Sequence, residues 1–169
     1  MIVIRPEQPE DIAIIHQVVE QAFGNPAEAQ LVDTLRRNGK AILSLVAEDN
    51  GRVIGHILFS EVVIDAVAGQ LKGIGLAPLA VSPERQNEGI GSLLTEQGLE
   101  LCRKAGYPFI VVLGHPEYYP RFGFIPASRF GIKSEYDVRD EVFMIMEVRE
   151  GSLAGFAGVV KYQPEFNEV

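Results

Sequence analysis

Apolar residues recur at three- and four-residue spacing in three segments of the chain, and this pattern predicts three amphipathic helices. The first is expected to start at residues 9–11, where a proline and two acids suit a first turn. The second is bounded by Asn25 and Gly39, which are typical start and stop signals. The stripes of the first and third helices consist of Ile12, Ile15, Val19, Ala22 and Phe23, and of Ile90, Leu93, Leu94, Leu101 and Ala105.

Three β-rich segments lie between the second and third predicted helices, at residues 41–47, 53–64 and 71–81. Asn50-Gly51 separates the first two segments, and because both residues tolerate positive φ, the pair predicts a tight hairpin. A second turn around Gly69 leads into the third segment. The pattern therefore predicts a three-stranded antiparallel meander.

A continuous apolar run at residues 109–113 is typical of a buried strand. It follows the third helix, so a right-handed crossover would place it parallel to the strand before that helix. Further short strands are expected at residues 2–5, 124–125, 142–148 and 159–162. The sequence therefore predicts a single α+β domain over residues 1–169, with a mixed, mostly antiparallel sheet flanked by helices.

Composition narrows the classes of function. The formal net charge of −8 opposes nucleic-acid binding and favours a cationic or amine substrate. Apolar stretches fall far short of the roughly 20 residues of a membrane span, and the first residues lack the features of a signal peptide, so we expect a cytoplasmic location. The three histidines and the single cysteine, Cys102, show no ligand spacing, so no metal is expected and Cys102 is interpreted as a core residue.

The segment from Leu79 to Ser92 places a glycine-rich turn between a predicted strand and a predicted helix. Glycines at 89 and 91 would let a phosphate approach the backbone, and the positive end of a helix favours an anion. The turn lacks the Gly-Lys-Ser/Thr of a P-loop, and Leu94 stands where a dinucleotide-binding fingerprint has its third glycine. Two interpretations remain: an anion cradle, or glycines that only let the helix turn tightly off the sheet.

The same segment resembles the signature of the GNAT superfamily of N-acetyltransferases, which is Gln/Arg-x-x-Gly-x-Gly/Ala after a strand Leu-x-Val-x-Pro. The resemblance implies an α/β/α-type fold that binds acetyl-CoA between two splayed parallel strands, with Val81 and residues 109–113 at their edges. It also implies that the backbones of Leu79 and Val81 bond the pantetheine arm and that residues 86–92 hold the pyrophosphate. The implied cofactor-binding residues are Leu79, Ala80, Val81, Gln86, Asn87, Glu88, Gly89, Ile90, Gly91 and Ser92.

A second part of the resemblance is the segment 119–124, which is similar to the family's Tyr-x-x-x-Gly-Phe element. In the family this tyrosine often protonates the departing coenzyme A thiolate, so Tyr119 is the implied catalytic acid. The alternative is an ordinary packed aromatic residue. The chain looks closest to the YhbS-like branch of predicted acetyltransferases, on residues 55–60, 115–119 and 162–166, although His115 stands where we expect an aspartate in that branch.

The acceptor amine must lose a proton, and His56, Glu61 and His115 are the candidate bases. His56 and Glu61 differ by an odd number within one predicted strand, so at most one of them is expected to face the site unless a bulge intervenes. Glu28 could contact an amine from the second helix, but its spacing from Asn25 also fits a capping box. The substrate-side candidates are therefore Glu28, His56 and His115, with a structural role as the alternative for each.

Three charged residues bear on these hypotheses. Glu88 is an anion inside the proposed phosphate loop, so its side chain is expected to point to solvent. Arg36 and Arg37 are interpreted as a solvated pair that complements the dipole of the second helix.

Together these observations predict direct transfer of an acetyl group from acetyl-CoA to a primary amine of a small molecule or a protein. Neither Cys102 nor any serine has the context of a covalent nucleophile. A non-catalytic module that binds or senses acyl-CoA is the alternative from another class. No nucleic-acid or membrane partner is expected, and a homodimer through the late strands is left open.

Overall fold

The structure is a computed structural model that describes residues 1–169. It contains three α-helices and nine strands. The helices are α1 (Ile12–Phe23), α2 (Ala27–Arg37) and α3 (Ile90–Lys104). The strands are β1 (Ile2–Pro6), β2 (Leu43–Asp49), β3 (Arg52–Ala66), β4 (Gly69–Val81), β5 (Phe109–Leu113), β6 (Ile125–Pro126), β7 (Ile132–Ser134), β8 (Phe143–Glu147) and β9 (Gly158–Lys161).

The chain divides into two compact units. The first unit contains Met1–Ser60, Ala77–Glu100 and Pro164–Val169, and the second contains Glu61–Leu76 and Leu101–Gln163. Strands β3 and β4 and helix α3 each contribute residues to both units. The single domain over residues 1–169 stays a prediction.

In the first unit, β1, β2 and β3 pair antiparallel, and β4 follows on the other side of β3. The hairpin between β2 and β3 turns at Asn50 and Gly51, whose φ angles are 51° and 81°. Both residues are therefore left-handed, as the sequence predicted, and the meander β2-β3-β4 is confirmed.

Helices cover both faces of this sheet. On one face, α1 and α2 pack through Ile15, Val32 and Leu35 against Leu58 of β3. The opposite face receives α3, where Gly98 is needed because a Cβ there would lie 2.5 Å from the ring of Phe59. Residues 58 and 59 alternate between the two faces, as side chains do along a strand. The middle of α3 therefore packs closely against β3.

In the second unit, β4 pairs in parallel with β5 through Ile74–Leu76, and β5 and β6 both pair antiparallel with β8. Strand β9 pairs antiparallel with β3 and parallel with β7. The sheet is therefore mixed and mostly antiparallel, which confirms the predicted α+β class. Strand β7, only three residues long, was not predicted. None of the three α-helices combines the length and the hydropathy that a membrane-spanning helix requires.

Candidate functional site

The last residues of β4 present an open strand edge. Pairing with β5 covers only Ile74–Leu76, and β4 continues to Val81. The N–H of Ser82 donates to the carbonyl of Ile54 in β3, at 2.8 Å. Because backbone groups alternate in direction along a strand, those of Leu79 and Val81 point away from β3. The family resemblance implies that the backbones of these two residues bond the pantetheine arm.

The loop after β4 turns through two left-handed residues before α3 begins at Ile90. Asn87 has φ 65° and Gly89 has φ 82°, a region that glycine and asparagine enter most readily. The N–H of Leu93 donates to the carbonyl of Gly89 at 3.1 Å, so the amides of Ile90 and Gly91 precede the ladder of the helix. Amides in this position can receive an anion.

Two side chains fix the loop at its ends. The amide of Gln86 donates to the carbonyl of Val81 at 3.1 Å and so ties the loop back to the open edge of β4. The hydroxyl of Thr95 donates to the carbonyl of Gly91 at 2.8 Å, inside the first turns of α3. The first residue of the signature, Gln86, therefore shapes the loop through its side chain.

Ion pairs balance the charge of this loop. Nε of Arg85 lies 3.1 Å from Oε2 of Glu88, and Nη2 of Arg85 lies 3.0 Å from Oδ2 of Asp49 in β2. Hydrogen bonds to Asp49, and next to Glu88, raise the pKa of Arg85. The Glu88 side chain is 45% exposed, so its position agrees with the solvent-facing orientation expected of an anion in this loop.

In the second unit, a short 3-10 helix, Tyr119–Phe122, carries the candidate acid. The amides of Tyr118 and Tyr119 both donate to the carbonyl of His115, which fixes the turn before it. The ring of Tyr119 lies directly against Gly114, where a Cβ would clash with Cε2 of the ring. Glycine at position 114 is therefore a requirement of the tyrosine's placement.

Aromatic contacts bury most of Tyr119. Its ring meets Tyr118 and Phe124 edge to face, with centroid distances of 5.0 and 5.8 Å, and the residue is 7% exposed. This burial, and to a smaller extent Tyr118, raises the pKa of the Tyr119 hydroxyl well above its usual value of 10. The hydroxyl therefore keeps its proton throughout the physiological pH range.

His56, one of the three substrate-side candidates, is fully buried in the first unit. Its Nε2 lies 2.7 Å from the hydroxyl of Ser44, which donates its own proton to Glu7 at 2.5 Å. His56 Nε2 must therefore be the donor to Ser44, which leaves Nδ1 as an acceptor without a partner. Burial lowers the pKa of His56 to about 4, so the imidazole is neutral at physiological pH.

The other two substrate-side candidates lie apart from His56 along the chain. Glu28 is half-buried in the first turn of α2, and the side chain of Asn25 accepts the N–H of Ala27 at 2.9 Å. This bond spans two residues, so Asn25 caps α2 by another route than the predicted capping box with Glu28. His115 is exposed, and its carbonyl serves the turn before Tyr119.

The interpretation of Arg36 as a solvated residue is wrong, whereas Arg37 is exposed as predicted. Arg36 is 18% exposed and binds Glu7 through two hydrogen bonds of 2.7 and 2.8 Å, with Asp33 a further 3.0 Å contact. The sequence contained a signal for this, because Arg36 continues the helical face of buried Ala29 and Val32. Glu7 and Ser44 were also missed.

Metal coordination and thiol chemistry are two further possibilities for a site. No three His, Cys, Asp or Glu side chains are grouped so that they could hold a metal ion. Cys102 is buried, as predicted, and burial raises the pKa of its thiol to about 12. A thiol in that state is a poor nucleophile.

A sequence model of the acetyltransferase (GNAT) domain matches residues 3–127 of the chain. The uncharacterised N-acetyltransferase YhbS of Escherichia coli K12 is 36% identical over 165 residues, which span 97% of this chain and 98% of that protein. The uncharacterised N-acetyltransferase YjhQ of the same strain is 40% identical over 134 residues, which span 78% and 74% of the two proteins.

Two solved structures are also similar to this chain. A crystal structure of YhbS from Escherichia coli in complex with CoA superimposes with a TM-score of 0.91 at 35% identity, over 98% of this chain and 92% of that one. A GNAT family acetyltransferase from Brucella melitensis, in complex with acetyl-CoA, gives a TM-score of 0.82 at 37% identity, over 98% of both chains.

Proposed function

The chain belongs to the acetyltransferase (GNAT) family, and on this basis we propose that it transfers an acetyl group from acetyl-CoA directly to a primary amine. The observation that carries the proposal is the glycine loop at the end of a strand whose outer edge has no partner beyond Leu76. Family membership favours the enzyme over the non-catalytic acyl-CoA-binding module. The acceptor is a small-molecule amine or a protein amine.

The residues of the first unit suit coenzyme A. The amides at the start of α3 suit the pyrophosphate, and Gly89 combines a left-handed backbone with open space around the position of a Cβ. The backbone groups of Leu79 and Val81 suit the amides of the pantetheine arm, because an extended ligand can pair with an open strand edge. Within residues 79–92, the proposed contacts are Leu79, Ala80, Val81, Gln86, Asn87, Glu88, Gly89, Ile90, Gly91 and Ser92.

Acetyl-CoA supplies a thioester, whose carbonyl carbon is attacked by the amine while the thiolate departs. We propose Tyr119 as the group that donates its proton to the sulfur. A free thiol has a pKa near 8.5, below the raised pKa of Tyr119, so the hydrogen bond that stabilises the developing thiolate is the larger part of this role. The unreactive state of Cys102 supports transfer without a covalent enzyme intermediate.

Three residues are proposed to act on the acceptor amine, and they are not equally well supported: Glu28, His56 and His115. Glu28 is half-buried and His115 is exposed, so both can contact an amine that enters from solvent. Fully buried His56 could act only through a water or a movement of its neighbours. We therefore place Glu28 and His115 ahead of His56.

Cosubstrate binding is tested first, by calorimetric titration of the protein with acetyl-CoA. Gly89→Glu and Gly91→Glu should each abolish the saturable binding of the wild type, because a carboxylate would occupy the phosphate position. The matched control is Gly106→Glu, at φ 86° in open space beyond α3, which adds the same charge and similar backbone strain elsewhere. A folded wild-type protein that does not bind acetyl-CoA would remove the basis of the proposal.

The role of Tyr119 is tested by Tyr119→Phe, with thiol release from acetyl-CoA measured over a panel of primary amines. We expect unchanged binding of acetyl-CoA and a kcat lowered by roughly 10²-fold or more. Phe122→Tyr serves as a control for aromatic packing in the same short helix. Wild-type turnover by Tyr119→Phe would exclude Tyr119 as the proton donor.

A further inference from the structure

The glycine loop carries a negative balance of charge where an anion is expected. Residues 82–92 contain Glu84, Arg85 and Glu88, and the chain as a whole has a net charge of −8. The segment itself therefore supplies one cation and two carboxylates, and its partners Arg52 and Asp49 add one charge of each sign without changing this balance. Whether Arg85 can bind the pyrophosphate depends on which groups its guanidinium already contacts.

In the structure, both sides of the Arg85 guanidinium are occupied by carboxylates. Nε is paired with Glu88 at 3.1 and 3.2 Å, and Nη2 is paired with Asp49 at 3.0 Å. A guanidinium has five N–H donors, so Arg85 retains donors for a further acceptor. Asp49 lies on β2, whereas Glu88 lies on the loop itself.

The two carboxylates that bind Arg85 differ in their exposure to solvent. Glu88 is 45% exposed, and Asp49 is 17% exposed. An exposed ion pair gains little from its mutual attraction, so exchanging its carboxylate for a phosphate costs little. Arginine forms charge-assisted, frequently bidentate bonds with phosphate as it does with carboxylate, so a pyrophosphate can take the place of Glu88 on the guanidinium.

We propose that Glu88 is an exchangeable counterion: it holds Arg85 in the free enzyme, and the pyrophosphate of coenzyme A displaces it when the cosubstrate binds. Asp49 keeps the guanidinium in place while its other side changes partner. The inference rests on the proposed function of this loop. Its consequence is that Glu88 lowers the affinity for both acetyl-CoA and the product CoA, and so favours release of the product.

The test is a double-mutant cycle on acetyl-CoA affinity, measured by calorimetry at low salt. Glu88→Gln should tighten binding about three- to tenfold, because it removes a competing carboxylate. Arg85→Gln should weaken binding. The gain from Glu88→Gln should be smaller in the Arg85→Gln background, where no cation remains to be released.

A static arrangement predicts the opposite sign of coupling. If Arg85 stays on Glu88 and only neutralises it, removal of Arg85 would expose the full repulsion of Glu88, and the gain from Glu88→Gln would be larger in the Arg85→Gln background. That outcome overturns the exchange. An unchanged affinity of Glu88→Gln overturns it as well.

Glu84→Gln provides the matched control. Glu84 lies in the same segment with the same charge, but it is paired with Arg52 at 3.3 Å. We expect less than about a twofold change in affinity. If Glu84→Gln and Glu88→Gln increase the affinity equally, the change in net charge alone would explain the increase, and the proposal would be overturned.

Dephospho-CoA identifies the phosphate involved. It lacks the 3′-phosphate but keeps the pyrophosphate, so the gain from Glu88→Gln should persist with this ligand. Loss of the gain would overturn the assignment to the pyrophosphate. Failure of the wild type to bind any of these ligands would be a failure of the proposed function itself, and so is distinguishable from failure of the exchange.

Discussion

Two networks of the first unit each place an arginine between two carboxylates, yet they differ in their exposure to water. Arg36 is clamped by both oxygens of Glu7, and that carboxylate is also bound by Ser44, the partner of buried His56. Arg85 meets a half-exposed loop carboxylate on one side. The first network joins α2, β2 and β3 to the turn after β1, whereas one partner in the second network, Glu88, is exposed enough to dissociate.

The contrast shows how the same residue types serve structure or binding. A charge removed from water must keep its partners, because an unpaired buried ion is costly. An ion pair that water still reaches can change partners at little cost. The network around Arg36 is thus expected to fix the fold, and the network around Arg85 to respond to ligands.

The largest loss of stability is expected from Arg36→Gln. It leaves Glu7 as a mostly buried carboxylate without its cation, which should lower the free energy of unfolding by about 2–4 kcal/mol. Urea denaturation followed by circular dichroism measures the change. Arg37→Gln, one residue on and exposed, should leave the midpoint nearly unchanged; equal losses in both variants would mean that burial does not separate them.

The next effect is a dependence of stability on pH that comes from His56. Its pKa is about 4 in the folded chain and 6.5 in the unfolded chain, so the unfolded state binds more protons between these values. Stability should therefore be complete above pH 6.5 and fall by up to about 3 kcal/mol as the pH decreases toward 4. Burial acts to raise the pKa of Glu7, but the hydrogen bonds from Arg36 and Ser44 together outweigh it and lower the pKa, so protonation of Glu7 adds a loss of stability at still lower pH.

His56→Gln isolates the contribution of the histidine, because glutamine can donate to Ser44 but does not titrate. Urea midpoints of both proteins should be measured from pH 7.5 to 4.5. The slope of stability against pH should be shallower in the variant over this window. Parallel curves would show that His56 is not the titrating group.

The smallest effect on stability is expected from Arg85→Gln. Glu88 is half-exposed, and Asp49 keeps the N-terminal ammonium as a partner, so the urea midpoint should change much less than in Arg36→Gln, although the affinity for acetyl-CoA falls. The two measurements on one variant thus separate a binding residue from a structural one. A loss of stability as large as that of Arg36→Gln would remove the distinction between the networks.

The parts of the fold that were predictable from sequence depend on neighbours in the chain. Asn50-Gly51 defines its hairpin through two left-handed residues, and the segment from Leu79 to Ser92 contains strand, turn and helix start in one stretch. Strand β7 was missed because its three residues are too few to show a period, and its partner β9 lies more than twenty residues further on.

The parts that were not predictable depend on contacts between distant residues. The helical face of Arg36 indicated burial, but its partner Glu7 is 29 residues away, in the turn after β1, so the ion pair itself could not be predicted. Gly114 carries no motif of its own, and only the ring of Tyr119 explains why a side chain is excluded there. The left-handed Asn87 is an intermediate case, since asparagine signals such a conformation without requiring it.

The open end of β4 has a consequence for the behaviour of the protein in a crowded solution. Unsatisfied strand edges are the places where β-rich proteins associate with one another, and natural sequences usually block them. Gln86 covers the carbonyl of Val81, but the backbone groups of Leu79 still point away from β3. A cosubstrate bound along this edge, as proposed above, would cover these backbone groups and so oppose edge-to-edge association.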